Sequence, residues 1–362
     1  MKQNYQAVFE YVLSPRWQQI AHASFKIVSY GQSDDREGIY LSKKTIRPEV
    51  PEPAHPQHRR EPLPWQEPKP QVDDPQGPAK LEAILKSPSY RPAIEDVDFL
   101  DSDDARGVRL QLDYLKPDRL LKAHGVQHSI VVFGSTRIVE PTAARRRVEQ
   151  CREALNALPQ DSERKRRLAV AERILAKSHN YEVAREFSRL VANAGGGPED
   201  SRLVVVTGGG PGMMEAANRG AHDAGAKTVG LNITLPHEQY PNPYITPELC
   251  FQFHYFALRK MHFLLRARAL VAFPGGFGTF DELFETLTLV QTRKIKPLPV
   301  VLVGESYWRK AFDVDYLVDE GVIDNEDRDL FWFAETADDI WEGLLCWYER
   351  NGESLIEIEE KQ

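Results

Sequence analysis

The sequence predicts an α/β protein, a doubly wound parallel sheet with helices on both faces, carrying an N-terminal extension and an inserted helical hairpin. Three observations predict it. From His128 onward, short β-rich apolar runs alternate with segments of helical periodicity, the pattern of a parallel sheet covered by helices. Two of those runs end in glycine-rich turns that open directly into helical patterns. The 362 residues are enough for about two domains at ~150 residues each, or for one large domain with a tail.

Residues 1–46 hold apolar clusters such as Val8, Phe9, Tyr11 and Val12, enough for a helix or hairpin that docks elsewhere but too few for an independent core. They form an N-terminal extension. Arg47 to Pro78 contains ten prolines and no apolar period, which predicts an extended linker over 47–78. A helical lead-in follows over 79–127, and the main domain runs from 128 to 350. Its expected strands are Ile130 to Gly134, Leu203 to Thr207, Thr228 to Ile233, Ala269 to Phe273 and Pro299 to Val303, each short and apolar, as strands buried on both faces should be. Tyr181 to Asn193 reads as a helix with Ala184, Phe187, Leu190 and Val191 on the sheet-facing side. The first connection is too long for one helix, so residues 141–180 form an inserted hairpin. It carries 10 basic and 5 acidic residues, including Arg145, Arg146, Arg147, Arg164, Lys165, Arg166 and Arg167. A solvated helix face is the favoured reading of that charge, and an anion or nucleotide-phosphate surface the sharper one. Residues 351–362 form an acidic C-terminal tail.

Composition excludes several classes. With 41% hydrophobic and 28% charged residues the chain is neither fibrous nor disordered throughout. No apolar run reaches the ~18 residues a membrane span needs, and Glu10 and Arg16 interrupt the stretch from Met1 to Ile20 where a secretory signal would lie. A cytoplasmic protein with no membrane partner is expected. The net charge is -8, with 17 acidic and 3 basic residues from Asp313 to Gln362 (-14) and therefore +6 elsewhere, which argues against a nucleic-acid partner. Cys151, Cys250 and Cys346 are odd in number and far apart, so neither a disulfide framework nor a zinc site is suggested. Buried, inert thiols are expected, with no metal and no cofactor.

The chemistry concentrates in two turns. The first, Thr207-Gly208-Gly209-Gly210-Pro211-Gly212-Met213-Met214-Glu215, follows a strand and opens a helix, a context in which close backbone approach and a positive helix end suit an anion. It lacks the Walker lysine and fits the dinucleotide spacing poorly, so a turn without a ligand is about as good a reading. The second, Pro274-Gly275-Gly276-Phe277-Gly278-Thr279-Phe280-Asp281-Glu282, repeats the arrangement. Both turns lie at strand carboxyl ends, where open α/β sheets bind ligands, and together they would hold a phosphorylated sugar. Thr279 and Glu282 also match a capping box, which explains those two residues but not Gly275, Gly276 and Gly278. Phe256-Ala257-Leu258-Arg259-Lys260 places two charges on an otherwise apolar helix, and a guanidinium there would clamp a phosphate or sugar.

On these residues the sequence resembles the LOG ("Lonely guy") family, long labelled lysine decarboxylases. Pro274 to Glu282 fits the family's P-G-G-x-G-T-x-x-E signature at every fixed position, Arg259-Lys260 resembles its Arg-Lys pair, Gly208 to Met214 its upstream glycine turn, and Phe133-Gly134-Ser135 its first strand end. The resemblance spans about His128 to Glu305. It implies a Rossmann-like fold, a homodimer or higher homo-oligomer, and hydrolysis of the N-glycosidic bond of nucleoside 5′-monophosphates to free base and ribose 5-phosphate. It further implies Arg259 and Glu282 as the catalytic pair, with Gly275, Gly276, Gly278 and Thr279 holding the phosphate and Gly209, Gly210, Gly212, Met213 and Lys260 completing the binding set. Leu258 stands where short members usually have Glu, and those members lack the insert and the extension. The chain looks more like the larger bacterial branch of purine and pyrimidine nucleotide nucleosidases than like the short, cytokinin-specific members.

Two rivals differ in class. A pyridoxal-dependent decarboxylase would commonly carry Ser-x-His-Lys, and Lys177-Ser178-His179 has the wrong order. A non-catalytic nucleotide or molybdenum-cofactor carrier would use the same glycine turns, but has no need of a carboxylate beside the sugar.

Overall fold

The structure, a computed structural model, describes residues 67–236 and 240–356. The extension expected over 1–46, most of the proline-rich linker and the end of the acidic tail lie outside the described residues. The chain divides into two compact units, residues 1–81 and 82–362. Of the first, residues 67–81 are described: turns lead into helix α1 (Gly77–Leu85), and Asp74 accepts from the Gln76 amide at 3.0 Å and from Lys80 at 3.2 Å.

The second unit is built on a seven-stranded, all-parallel sheet. Helices α2 (Val97–Asp101) and α3 (Arg106–Ala123) lead into β1 (His128–Phe133). The insert follows as α4 (Pro141–Ala157) and α5 (Ser162–Lys177), and then α6 (His179–Ala192). Next come β2 (Leu203–Thr207), α7 (Met213–Asp223), β3 (Thr228–Ile233), β4 (Cys250–Phe253), α8 (Phe256–Leu265), β5 (Ala267–Ala272) and α9 (Phe277–Gln291). The chain ends through β6 (Val300–Val303), α10 (Glu305–Ala311), α11 (Val314–Asp319), β7 (Trp332–Ala334) and α12 (Ala337–Arg350). The strand order is β4-β3-β2-β1-β5-β6-β7, so successive strands wind outward in one direction from β1 and, after β4, in the other from β5. This is the doubly wound, Rossmann-like topology, with its switch point between β1 and β5.

The strands are central because both of their faces are apolar. In β1, Ile130 and Val132 enter one core with Tyr181, Ala184 and Phe187 of α6, Met213 and Ala217 of α7, and Ile340 and Leu344 of α12. Val131 and Phe133 enter the other with Leu121 of α3, Phe263 of α8, Leu283 of α9 and Trp308 of α10. The two-residue alternation of a strand divides one sequence between two layers.

All five expected strands sit within two residues of their predicted starts, and Leu203–Thr207 and Thr228–Ile233 match at both ends. Two edge strands, β4 and β7, were not expected. The expectation of buried thiols is corrected: Cys151 is buried, Cys250 is half-buried and Cys346 is exposed. Cys346 lies on the outward side of α12, because Ile340, Leu344 and Tyr348 at helical spacing turn the opposite side into the core. The described part of the expected tail is packed rather than free, with Leu355 buried in the α6–α12 core. Among the described residues no helix is long and apolar enough to cross a membrane.

Candidate functional site

The switch point is the site. Beyond the carboxyl ends of β1 and β5 the ladder continues: the Phe273 amide donates to Phe133 O at 2.9 Å, and the Ser135 amide to Pro274 O at 3.0 Å. The two loops are thereby joined as a floor, and a cavity of about 560 Å³ opens above it. Its lining comes from Gly134 to Ile138 after β1, from Pro274 to Thr279 with Asp281 and Glu282 after β5, and from Arg259, Met214, Lys177 and Tyr307 among others.

The second glycine turn faces this cavity with open backbone. A Cβ on Gly276 or Gly278 would meet nothing within 4 Å, so both leave their peptide groups accessible. Gly276 is the N-cap of α9 and supplies no side-chain cap, so the first amides of the helix remain available to an anion. Gly275 has a different reason: a Cβ there would overlap Thr279 Oγ1. The Tyr307 hydroxyl donates to Gly275 O and fixes the turn from the β6 side.

The capping-box reading of Thr279 and Glu282 is overturned. Thr279 is the third residue inside α9, not its cap, and is buried against Gly275. Glu282, one turn on, is a residue 8% exposed that lines the cavity, and among the described residues no side chain hydrogen-bonds its carboxylate. Burial pushes its carboxyl up to about 7, although Lys260 and Arg259 pull the other way. A carboxyl that titrates near neutrality in a cleft is placed for acid–base work.

Arg259 stands on α8 across from it. Its guanidinium lies over the rings of Phe256 and Phe263, at 5.8 Å and 5.2 Å from their centres, and its Nε donates to Leu231 O at 2.8 Å. Burial lowers the pKa, with Glu282 and Asp281 opposing. A Cβ on Gly208 would come within 2.7 Å of Arg259 Nη2, so the first turn makes room for this arginine.

Gly209, Gly210, Gly212 and Met213 are not part of the cavity lining. They are buried. The Asn242 side-chain amide donates to Gly209 O at 3.2 Å and Gly210 O at 3.1 Å, and its backbone amide to Gly209 O at 2.9 Å. Asn242 is held in turn by Asn218 at 2.9 Å, which bonds Thr207 and Thr228 at 2.7 Å each. Gly212, at φ 72°, packs on the Ser135–Thr136 backbone, and the Met213 amide donates to Ser135 O at 3.1 Å. Lys260 is also turned away: Asp281 and Glu285 hold its ammonium at 2.8 Å each. Burial works against that charge, but the two carboxylates outweigh it and its pKa is raised.

Sequence reasoning missed Arg137, Lys177 and Tyr307 on the cavity. Arg137 lies four residues after a central strand, where a loop residue can reach a switch-point ligand, and that spacing was the available signal. Lys177 ends the inserted hairpin, and nothing local links it to turns a hundred residues later.

A parallel α/β sheet with an open helix end and a buried carboxylate at its switch point is an arrangement able to accept an anionic small molecule. The comparisons then narrow the class. Residues 214–344 match the family model described as "Possible lysine decarboxylase". The chain is 32% identical over 138 residues to the probable cytokinin riboside 5′-monophosphate phosphoribohydrolase LOGL5 of Oryza sativa subsp. japonica, covering 37% of this chain and 53% of that protein. It is 30% identical over 154 residues to the cytokinin riboside 5′-monophosphate phosphoribohydrolase LOG4 of Arabidopsis thaliana, covering 38% of this chain and 69% of that protein. The X-ray structure of TM1055 aligns with a TM-score of 0.37 at 21% identity, over 60% of this chain and 98% of that one. The chain belongs to the LOG family, whose curated relatives are named phosphoribohydrolases. It spans about half the length of the rice relative.

Lys260 does not suit the cofactor that a lysine decarboxylase label implies. A Schiff-base lysine needs its pKa lowered so that the free amine can attack. Lys260 is clamped by two carboxylates that raise it.

Proposed function

We propose that the protein hydrolyses the N-glycosidic bond of nucleoside 5′-monophosphates, releasing free base and ribose 5-phosphate. The observation that carries this reading is the placement of Glu282. From the open backbone of Gly278 to Glu282 is one turn of α9, a rise of about 6 Å, so a phosphate at the helix end brings the ribose over a buried carboxylate.

Cleavage of the bond develops oxocarbenium charge at the sugar's anomeric carbon, which ionised Glu282 stabilises. The same carboxylate takes a proton from the attacking water. The water oxygen bonds to the anomeric carbon, and the electron pair of the broken bond leaves on the base, which is protonated as it departs. Arg259, desolvated between two rings and coupled to Glu282, orients the nucleotide and offsets its charge. Backbone donors at Gly276 and Gly278 anchor the phosphate, so remote binding energy places the sugar and nucleosides are poor substrates. The named relatives act on cytokinin nucleotides, and this chain's substrates extend to AMP-like nucleotides. The working unit is a homodimer or higher homo-oligomer, and the exposed stripe Val108, Leu112 and Leu115 on α3 is an apolar face for a second copy.

The test is chromatographic detection of free base from AMP, GMP, CMP and isopentenyl-adenosine monophosphate. Release by the native chain, lost in Glu282→Gln and Arg259→Ala, supports the reading. Tight nucleotide binding with no release from any of the four supports a carrier instead, and equal turnover of adenosine and AMP removes the phosphate anchor.

A further inference from the structure

The inserted hairpin encloses a second cavity that the proposed reaction does not use. Helices α4 and α5 pack through Val148, Cys151 and Ala171, and beside that small core lies a groove of about 520 Å³. Its floor is apolar, formed by Ala144, Ala171 and Ile174 among others, and five arginines line it: Arg137, Arg146, Arg147, Arg166 and Arg167.

The ion pairs of these arginines are uneven. Glu163 holds Arg166 at 2.7 Å and Arg167 at 2.9 Å. Among the described residues, no carboxylate pairs with Arg137, Arg146 or Arg147, while nearby Arg152 is paired with Glu149 at 3.1 Å. A solvated helix face would spread its charges outward from one element. Here Arg137, from the loop after β1, converges with arginines of α4 and α5 on one concavity. All five side chains reach solvent, so they form a charged rim around the apolar floor, and charges of one sign about a concavity concentrate counter-ions there. Guanidinium forks match phosphate oxygens two at a time, and the apolar floor suits a flat ring. The volume is that of a small-molecule site.

We propose that this groove binds a small polyphosphorylated anion, of the nucleoside di- or triphosphate class, and that its occupation acts on the catalytic cavity through Arg137 and Ile174, which line both. An anion in the groove engages Arg137 and withdraws from the catalytic cavity a cation that serves the substrate phosphate. Binding stands on the groove alone, whereas the coupling rests on the phosphoribohydrolase reading.

The experiment is titration calorimetry of the full chain with inorganic tripolyphosphate and with ATP, alongside AMP kinetics with and without tripolyphosphate. Saturable binding is expected, weakened about tenfold or more in Arg146→Ala/Arg147→Ala, with AMP turnover in the absence of the anion unchanged. Glu163→Gln frees Arg166 and Arg167 and is expected to tighten binding, a gain that misfolding cannot imitate. Tighter binding of ATP than of tripolyphosphate assigns the floor to the nucleoside; equal affinity assigns the site to the phosphate chain. A rise in KM for AMP with tripolyphosphate, absent in the double variant, supports the coupling, and an unmoved KM overturns it. The site itself is overturned if binding is absent, if the double variant binds as the native chain does, or if a single-stranded oligonucleotide binds more tightly than ATP. Should no nucleotide release base, the phosphoribohydrolase reading fails while calorimetry still decides the groove.

Discussion

The two glycine-rich turns look alike in sequence and differ in what their glycines do. The turn after β2 is buried, with Gly209 at φ 73° against Asn232 and its carbonyls held by Asn242. The turn after β5 is open at Gly276 and Gly278 and carries Phe277 on its rim at 96% exposure. One turn is glycine-rich because the neighbouring chain is too close for a side chain, the other because its backbone is left accessible to a ligand. A strand–glycine–helix pattern therefore marks a place where the backbone must be bare, and only the surroundings say for whom.

The contrast between the open and the buried turn depends most on Glu282. Glu282→Gln should lower base release by about 10³-fold without loss of fold, measured as free base per folded molecule; a drop below tenfold would mean the open turn is not the reacting one. The same residue sets a pH dependence. Its folded pKa of about 7 lies above the ordinary 4.5, so its contribution to stability is full below pH 4.5 and is lost as pH rises through 7. That loss is worth roughly 3 kcal/mol and should be missing from denaturant midpoints of Glu282→Gln measured at pH 5 and pH 8. Native activity should rise over the same interval, as the carboxylate forms.

Next in size is Asn242→Ala in the buried turn. It strands the Gly210 carbonyl, leaves Gly209 O with only the backbone amide of residue 242 and Asn218 Oδ1 with only Thr207, and should cost roughly 1–3 kcal/mol in chemical denaturation. Turnover by the molecules that remain folded should stay near native. Gly278→Ala should do the reverse. It replaces a glycine inside α9 and should stabilise by about 0.5–1 kcal/mol, while its methyl intrudes on the phosphate and raises KM for AMP about tenfold. If KM stays native and stability falls, the two turns are not opposites. The smallest effect is expected at Lys260→Met, under about 1 kcal/mol by thermal melting, because its partners remain partly solvated.

Much of this was legible in residues. The five strands recognised from sequence are runs such as Val204-Val205-Val206, buried on both faces and hence uniformly apolar. Cys250-Phe251-Gln252-Phe253 and Trp332-Phe333-Ala334 are edge strands of four and three residues, and their short, mixed patterns carry no comparable signal. Arg268 inside β5 obscured where that strand begins. At the site, Arg259 and Glu282 were readable because a charge sits amid apolar neighbours and a carboxylate sits behind a glycine turn. Lys260 was not, since dipeptide neighbours on a helix point about 100° apart and only the fold shows which one meets Asp281 and Glu285. Asn242, some thirty residues from the turn it holds, lay beyond any local pattern.

The joined loops beyond β1 and β5 imply a particular exchange behaviour. The amides of Ser135 and Phe273 belong hydrogen-bond by hydrogen-bond to the central strands, so their deuterium uptake should follow global unfolding rather than local opening. The floor of the cavity then cannot breathe to admit a ligand. Any yielding wall must be sought elsewhere, and Lys177, which ends the hairpin inserted between the first two strands, makes that late addition to the fold one of the walls.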